Sequence, residues 1–314
     1  MVNRYITENG LLKTADPCTK GTWISLVAPT REEIKNVAEE LSLEEDVLRA
    51  ALDKEERSRL ETDEAYTMIL VNIPYFSVEA ERELYDTLPL SVILTENAAV
   101  TVCLDDSPIL KQFSEGKVRE FNTSMKSRFV LQILYRVASS YLSYLRSIDR
   151  KSGVIEKTLH RSTRNEELLE LLKLEKSLLY FSTSLRANGT VLEKLLRVEA
   201  IKKYPEDADL LDDVIVENKQ AIEMAAIYSG VLNDLMNAFS SVISNNLNVV
   251  MKLLAIITIV MSVPTMIFSA YGMNVSLAGM PFAQSPYGFA IILGIAALSL
   301  IVAGIILSKL RIFK

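Results

Sequence analysis

The most apolar residues of this chain are concentrated near its C-terminus. Two apolar runs, residues 249–270 and 287–308, each have about 20 residues, enough for one helical pass through the core of a bilayer. Lys252 is the one charged residue between positions 249 and 307. The intervening residues 271–286 are uncharged and rich in glycine and proline, which is typical of a loop. The pattern predicts two transmembrane helices joined by a short loop.

Basic residues flank the two apolar runs on the side away from the loop. Lys252 lies near the start of the first run, and a basic tail, residues 309–314, follows the second. Because cytosolic segments beside a membrane carry an excess of lysine and arginine, both termini are predicted to be cytosolic. The first residues include no apolar stretch of signal-peptide length. We therefore expect a multi-pass protein of the cell (inner) membrane whose bulk lies in the cytosol.

A long helix is predicted to lead into the first apolar run. From residue 207 to residue 263 the chain has no proline and a single glycine, Gly230, and apolar residues recur every three or four positions. Pro205, followed by acidic residues, is typical of a helix start. The prediction is a stalk, residues 206–248, continuous with a first transmembrane helix, residues 249–270, and about 90 Å long in all. Pro264 is expected to kink or loosen this helix.

The polar residues of the first run recur at intervals of four, three and four, which places them on one face of a helix. They are Thr258, Ser262, Thr265 and Ser269. The same face continues towards the cytosol through Asn248, Met251 and Leu254 or Ala255. Such hydroxyls either bond to their own backbone or pack against a neighbouring helix, or they line a pore with oxygen dipoles. Since two spans cannot enclose a pore, a channel would need an oligomer with the first span around its axis.

The first turns of the predicted stalk are acidic. Two interpretations are open: a solvated helix start that the helix dipole favours, or a carboxylate site for a hard divalent cation. Because one helix face rarely encloses an ion, such a site would be shared between subunits. The acidic residues are Glu206, Asp207, Asp209, Asp212, Asp213 and Glu217.

Composition excludes several classes of function. The 314 residues are 49% hydrophobic and carry a net charge of −6, whereas a nucleic-acid partner requires a basic face. Two cysteines and one histidine are too few for a tetrahedral zinc site. The chain contains no Walker loop and no GxGxxG, GxSxG or His-Glu-x-x-His motif, and His160 lies in a charged, helical stretch. We therefore predict no enzyme activity and no organic cofactor.

The N-terminal region, residues 1–205, is predicted to be an α+β domain with a small mixed sheet flanked by helices. Residues 30 to about 60 are charged and helical, with Thr30 or Ser42 as the N-cap. Two more helices are predicted between about residues 123 and 200, with a break near Gly153 or Ser162. The predicted strands are residues 21–27, 66–73, 90–94 and 98–103.

Several segments resemble the CorA family of magnesium and divalent metal ion transporters. Tyr271-Gly272-Met273-Asn274 follows the first apolar run, as a Gly-Met-Asn tripeptide does in that family, and a second run and a basic tail come after it. Residues 248–254 and the Pro264-Thr265 step are similar to the family's first span. Residues 23–30 and 32–34 are similar to its opening strand and helix. The resemblance is specific in the C-terminal part and looser, though colinear, elsewhere.

The resemblance implies a funnel-shaped homopentamer with a cytosolic αβα domain, in which the first span surrounds the pore. The Tyr271–Asn274 segment would form the outer mouth, where Asn274 offers amide oxygens to a hydrated Mg²⁺, an ion that sheds its water reluctantly. Met251 and Leu254 would form a hydrophobic constriction. The implied pore positions are Asn248, Met251, Leu254, Thr258, Ser262 and Asn274.

The resemblance also implies that cytosolic Mg²⁺ closes the gate by binding carboxylates between neighbouring subunits. Mg²⁺ would thus be both cargo and regulator, and its loss would leave acids that repel one another. Asp213 matches the partner near the start of the stalk, with Asp209, Asp212 and Glu217 beside it. The N-terminal partner stays open among Glu79, Glu81 and Asp86.

The chain departs from the family in the outer loop, where Met280-Pro281 is followed by Phe282-Ala283-Gln284 instead of an acid. One alternative is a zinc or other divalent cation transporter of the same superfamily, with or without proton coupling. The Gly-Met-Asn tripeptide favours magnesium, and neither span holds a carboxylate for a proton relay. A second alternative is a non-conducting two-span sensor or anchor. Preference among Mg²⁺, Co²⁺, Ni²⁺ and Zn²⁺ stays open.

Overall fold

The computed structural model describes residues 1–15, 18–79, 82–159, 165–198, 201, 205–274, 279–282 and 285–309. The chain divides into two compact units, Met1–Met236 and Asn237–Lys314. Helix α6, Pro205–Tyr271, contributes residues to both. The division therefore falls inside the predicted stalk and not at either of its ends.

Seven strands form one mixed sheet in the first unit. Their order across the sheet is β2 (Leu11–Thr14), β1 (Val2–Glu8), β3 (Thr22–Val27), β7 (Ala98–Cys103), β6 (Arg82–Thr95), β5 (Tyr66–Glu79) and β4 (Arg59–Thr62). β3 pairs with β7 in parallel, and the other five pairings are antiparallel. Every residue of β7 is buried, as expected of a strand that is covered on both faces.

Helices cover both faces of this sheet. Alternate residues of β7 enter different cores, because successive side chains of a strand point to opposite faces: Val100 belongs to one core and Ala99 to the other. The smaller core includes residues of α1 (Arg31–Leu41) and α2 (Glu45–Arg49). The larger includes residues of α3 (Pro108–Ser114), α4 (Lys126–Leu159), α5 (Asn165–Leu195) and the start of α6. The predicted α+β class with an αβα arrangement is confirmed.

The four predicted strands are present, and the sheet is larger than predicted. β5 and β6 continue through Pro74 and Pro89 into a long hairpin, although proline usually interrupts a strand. Strands β1, β2 and β4 were missed because their residues are partly or fully exposed and lack a clear apolar alternation. Sequence patterns detect the buried centre of a sheet better than its edges.

The helix predicted from residue 30 to about residue 60 is shorter and broken. α1 and α2 are followed by a short 3-10 turn, Ala50–Leu52, and then by the approach to β4. Thr30 is the N-cap of α1: its Oγ1 accepts from Glu33 N at 3.2 Å, and the Glu33 carboxylate accepts from Thr30 N at 2.8 Å. Ser42 was wrong as an N-cap, because it ends α1 with a left-handed φ of 54°.

The two helices predicted between residues 123 and 200 are α4 and α5. Gly153 lies inside α4, so a break there is wrong, whereas the predicted break near Ser162 lies outside the described residues. His160 lies outside the described residues. Helix α3 was missed because it is short, although Ser107 as N-cap and Pro108 in the first turn are helix-start signals.

An asparagine on α5 completes the edge of β5 where β4 ends. β4 pairs with β5 only as far as Leu70, so the peptide groups of Asn72 lack a strand partner on that side. The Asn188 carboxamide accepts from Asn72 N at 2.9 Å and donates to Asn72 O at 2.8 Å, as a neighbouring strand would. Tyr141 Oη also donates to Asn72 O at 2.9 Å. Because buried backbone groups need partners, Asn188 joins the helical layer to the sheet.

Candidate ion pathway

The second unit contains the C-terminal part of α6 and helix α7 (Gly288–Lys309). Both helices include a stretch long and apolar enough to cross a membrane, and 6% of that stretch is buried in each. Val250 and Phe289 are 59% and 81% exposed. Soluble proteins rarely expose so much contiguous apolar surface, so lipid or other subunits must cover it. The two apolar runs found in the sequence are therefore observed as helices suited to a bilayer.

Six predicted pore positions share one narrow face of α6. At about 100° per residue, they fall within an arc of about 80°. Asn248, the seventh helical position, lies about 40° beyond that arc. The helix continues through Pro264, whose missing N–H leaves the carbonyl four residues earlier without its usual donor. The residues of this face, called the oxygen arc below, are Met251, Leu254, Thr258, Ser262, Thr265 and Ser269.

Three hydroxyls of the oxygen arc donate to carbonyls of their own helix. The bonds are Thr258 Oγ1 to Leu254 O at 2.9 Å, Ser262 Oγ to Ile259 O at 2.8 Å, and Thr265 Oγ1 to Met261 O at 2.8 Å. This is the backbone-bonded alternative considered for these residues. Because each proton is used inside the helix, the oxygen lone pairs that remain face outward as acceptors. The bond to the backbone and a role as a cation-facing oxygen are therefore compatible.

The apolar part of the arc lies towards the N-terminal end of this segment. Met251 is 56% exposed and Leu254 is 58% exposed. Both precede Thr258, so one face of the helix changes from apolar side chains to neutral oxygens along its length. Such a face could both exclude water at one level and offer oxygen dipoles at the next.

The predicted mouth begins where α6 ends. Gly272 follows Tyr271, and Gly272 N donates to Phe268 O at 2.9 Å, which closes the last turn. A Cβ at position 272 would lie 3.3 Å from that oxygen, so a larger residue would press on the turn. Met273 and Asn274 come next, and both are exposed. Asn274 is thereby placed directly beyond the end of the arc-bearing helix.

The acids predicted to bind regulatory Mg²⁺ lie in the first unit, and several are open to solvent. On the first turns of α6, Glu217 is partly buried, while Asp209, Asp212 and Asp213 are exposed. Within one chain, the described residues form no group of three or more His, Cys, Asp or Glu side chains able to hold a metal ion.

The N-terminal candidates for the same site are only partly visible. Asp86, on β6, is partly buried, and its Oδ1 accepts from Thr87 N at 2.8 Å. Glu79 ends β5, but its side chain lies outside the described residues, as does Glu81. Among the three candidates, Asp86 is the one whose side chain belongs to the described residues.

One acid of the stalk has a structural role that sequence analysis missed. Asp207 is 1% exposed and accepts from Ser127 Oγ at 2.7 Å. Arg128, the next residue on α4, lies 3.6 Å from Glu206. The acidic start of α6 is thus divided: Asp207 anchors it to the start of α4, while Asp209, Asp212 and Asp213 remain exposed. The sequence signal for this burial was spacing: Asp207 lies three or four residues before apolar residues on the same helix face.

Perturbed pKa values in the first unit arise from contacts that hold the fold. A hydrogen bond of 2.8 Å to Glu61 raises the pKa of Tyr66 to about 12. A hydrogen bond of 2.6 Å from Tyr75 lowers the pKa of Asp105. Burial raises the pKa of Tyr141, the residue that donates to the edge of β5. We therefore assign these groups to the architecture of the first unit.

The chain is similar to known transport proteins over nearly its whole length. The family described as "CorA-like Mg2+ transporter protein" matches residues 19–310. The "Cobalt/magnesium transport protein CorA" of Methanocaldococcus jannaschii is 28% identical over 282 residues, which are 87% of this chain and 85% of that protein. The Thermotoga maritima protein of the same name is 22% identical over 279 residues, 87% of this chain and 78% of that protein.

Solved structures give the same result. "The complete structure of CorA magnesium transporter from Methanocaldococcus jannaschii" matches with a TM-score of 0.81 and 25% identity, over 98% of this chain and 96% of that one. The structure of the full-length CmaX protein matches with a TM-score of 0.71 over 99% of this chain and 97% of that one. Its identity of 17% makes that second likeness one of fold alone.

Proposed function

This chain belongs to the CorA family of Mg²⁺ transporter proteins, and from that premise we propose that it is a passive Mg²⁺ channel. The observation that carries the proposal is the oxygen arc: one face of a bilayer-length helix offers neutral oxygens and no charge, and the helix ends at the Tyr271–Asn274 mouth. Both termini would be cytosolic and the membrane would be the cell (inner) membrane, as the basic tail and Lys252 suggest.

Neutral oxygens suit the physical chemistry of this cargo. Mg²⁺ loses its inner waters reluctantly, so a pathway that recognises the hydrated ion needs acceptors for the hydrogens of those waters. Hydroxyl oxygens whose protons are bonded to the helix, such as those of Thr258 and Thr265, are acceptors of that kind. Neutral oxygens also bind a divalent ion less firmly than carboxylates do, which suits conduction because the ion must leave as well as enter.

The channel would be a homopentamer. One chain offers two spans, which cannot surround an aqueous path, so copies of α6 must meet around an axis. In that assembly Asn274 of each subunit would contribute an amide to the mouth, and Met251 and Leu254 would close the pore by dewetting. Asn248, slightly off the arc, would line the cytosolic entrance. The exposed apolar side chains on the remaining helix faces would contact lipid or neighbouring subunits.

Regulation would act through the exposed acids of α6. Asp213, with Asp209, Asp212 and Glu217 nearby, would bind cytosolic Mg²⁺ together with Glu79, Glu81 or Asp86 of the adjacent subunit. Exposed carboxylates on a lone chain support this idea, because a site completed only by a neighbour remains open in the isolated subunit. Filled sites would hold the closed state, and their emptying would release it, so the cargo would limit its own entry.

A second cargo deserves the same assay. The Methanocaldococcus jannaschii and Thermotoga maritima relatives are both named cobalt/magnesium transport proteins. Co²⁺ and Ni²⁺ are also divalent, so an oxygen arc that binds the hydration shell of an ion would not exclude them by charge. Zinc transport driven by a proton gradient is the alternative with less support, since neither span contains a carboxylate for a relay.

The test is ion entry into proteoliposomes that contain a magnesium-sensitive dye, under an inside-negative potential. Wild type should admit Mg²⁺, and Asn274→Ala should lose most of that entry. Asn246→Ala is the matched control, because this exposed asparagine of α6 lies about 120° from the centre of the oxygen arc. Entry of Zn²⁺ only under a pH gradient would favour the zinc alternative. If an intact oligomer passes no ion, the alternative of a non-conducting sensor or anchor is favoured.

The regulatory part is tested separately with Mg²⁺ inside the vesicles. Internal Mg²⁺ should slow entry into wild-type vesicles and should have a weaker effect on Asp213→Ala. Glu32→Gln, which alters an exposed acid of α1, is the control. Equal inhibition of all three proteins would remove Asp213 from the regulatory site without affecting the channel assignment.

A further inference from the structure

The outer loop is fastened at two points that the sequence does not reveal. The first is a hydrogen bond across the loop: Tyr271 Oη donates to Pro281 O at 2.9 Å. It joins the end of α6 to a residue ten positions later, and Met273 and Asn274 lie between these two bonded residues in the sequence. A loop of this length would otherwise have considerable conformational freedom.

The second point is a close backbone approach where the loop enters α7. Phe282 has a left-handed φ of 64°, which is unfavourable for a residue with a side chain. A Cβ built on Gly288 would lie 2.5 Å from Phe282 O, so only glycine fits at that position without movement of the backbone. Ser285 N donates to the same carbonyl at 3.1 Å. The strained residue is therefore held by contacts with the start of α7.

We propose that Tyr271 and Gly288 are positioning residues that fix the outer loop so that Asn274 meets the ion at a defined place. This inference rests on the proposed channel function. The loop, residues 271–286, carries no charge, so it cannot attract a divalent cation by long-range Coulomb forces. Recognition must depend on hydrogen-bond geometry, which weakens steeply when donor and acceptor move out of line. A loop without charge therefore needs more exact placement than a loop with carboxylates.

The first experiment replaces the hydroxyl and leaves the ring. Tyr271→Phe should raise the half-saturating Mg²⁺ concentration for entry about fivefold, the change expected for loss of one hydrogen bond. The maximal rate should remain within about twofold of wild type, because the pore itself is unchanged. Tyr287→Phe is the matched control: Tyr287 directly follows the loop and is 74% exposed, and its variant should behave like wild type.

The second experiment tests the glycine independently. Gly288→Ala should also raise the half-saturating concentration, because the added Cβ displaces Phe282. Gly294→Ala, in the same helix α7, is its control, since a Cβ there meets nothing within 4 Å. Oligomer size by chromatography must be equal for all four variants, so that a failure to assemble is not read as a loss of recognition.

A measurement that does not depend on transport distinguishes the fastening of the loop from its role in ion recognition. Hydrogen exchange of the amides in residues 272–280 should be faster in Tyr271→Phe and Gly288→Ala than in their controls. Unchanged exchange and unchanged half-saturation would overturn the inference while wild-type conduction still supported the channel. If wild type does not conduct, the proposed function fails, and a role in ion recognition fails with it, whereas the exchange data still decide whether the two contacts fasten the loop.

Discussion

The buried polar contacts of the first unit differ from the exposed hydroxyl contacts along the oxygen arc of the second unit. In the first unit, buried polar side chains join separate elements: Trp23 Nε1 donates to Thr101 Oγ1 at 2.9 Å, and Asn188 bonds to the edge of β5. In the second unit, three hydroxyls of the oxygen arc bond within their own helix. A buried side chain that joins two elements is shielded from solvent, whereas an exposed hydroxyl that donates within its own helix keeps lone pairs available as acceptors. The comparison therefore distinguishes polar groups that stabilise the fold from polar groups that are available to a transported ion.

Apolar residues show the same contrast. Phe181 of α5 is fully buried and contacts the rings of Tyr141 and Tyr85, whereas Phe289 of α7 is 81% exposed. Burial in the first unit is provided by the chain itself. In the second unit it must come from lipid or from other copies of the chain. Stability assays should thus report on the first unit, and transport assays on the second.

The largest effect is expected from emptying the aromatic core. Phe181→Ala should destabilise the first unit by about 4 kcal/mol, since a large buried ring leaves a cavity, while Phe289→Ala should change its stability by less than about 0.5 kcal/mol. Trp23 is the single tryptophan of the chain and is fully buried, so its fluorescence reports unfolding of this unit by denaturant. Equal losses of stability from the two substitutions would contradict the difference in burial between the two units.

A smaller loss is expected at the junction of α5 and the sheet. Asn188→Leu should cost about 2 kcal/mol, because the N–H of Asn72 loses its acceptor and the carbonyl of Asn72 loses one of its donors. Thr190→Ala, two residues away, serves as the control, since its hydroxyl bonds only to Arg186 O of the same helix. The same fluorescence titration measures both variants. A loss below that of Thr190→Ala would show that water replaces the carboxamide.

The comparison is sharpened by one hydroxyl from each unit with the same local geometry. Thr258 and Thr183 both donate to the carbonyl four residues earlier, at 2.9 and 2.8 Å. Thr258→Val should reduce Mg²⁺ entry about fivefold, equivalent to about 1 kcal/mol, and leave stability unchanged. Thr183→Val should alter neither. Should both variants conduct like wild type, the oxygens of the arc would have no part in conduction.

The smallest effect concerns the cap of α1. A hydrogen bond from the Thr30 backbone N–H lowers the pKa of Glu33 below its usual value. A carboxyl with a lowered folded pKa stabilises the fold above its unfolded pKa of about 4.3, and this stabilisation disappears as the pH falls through the folded pKa. Because Glu33 is near the surface, the gain is only a few tenths of a kcal/mol, about that of an exposed pair.

The pH dependence of unfolding tests this point. Wild type should exceed Glu33→Gln in stability at pH 6. The difference should shrink as the pH falls below about 4.3 and vanish once the pH lies below the lowered folded pKa, where the carboxyl is protonated in both states. A difference that stays constant from pH 6 to pH 3 would mean that the side chain acts through packing and not through its charge.

Sequence reasoning succeeded where the controlling property is local. Transmembrane length, the lack of charge and the three-to-four spacing of Thr258, Ser262 and Thr265 can be read residue by residue. It was less successful in the N-terminal sheet. The edge strands β1, β2 and β4 have no strong pattern of their own, and they form because neighbouring strands offer unpaired peptide groups. Ser42 was wrong as an N-cap, since it ends α1 in the αL conformation that a glycine usually adopts at this position.

By itself, the sequence determined the membrane-spanning end and the long helix that leads to it. It also determined the resemblance carried by Tyr271–Asn274 and the absence of charge along the oxygen arc. Each of these is a property of residues close together in the chain. Only the tertiary structure decided that Asn188 completes the edge of β5, that Asp207 anchors the stalk, and that Tyr271 and Gly288 fasten the outer loop. Each of these contacts joins residues that are distant in the chain or that touch through backbone atoms. The spacing of apolar and polar residues does not predict contacts of this kind.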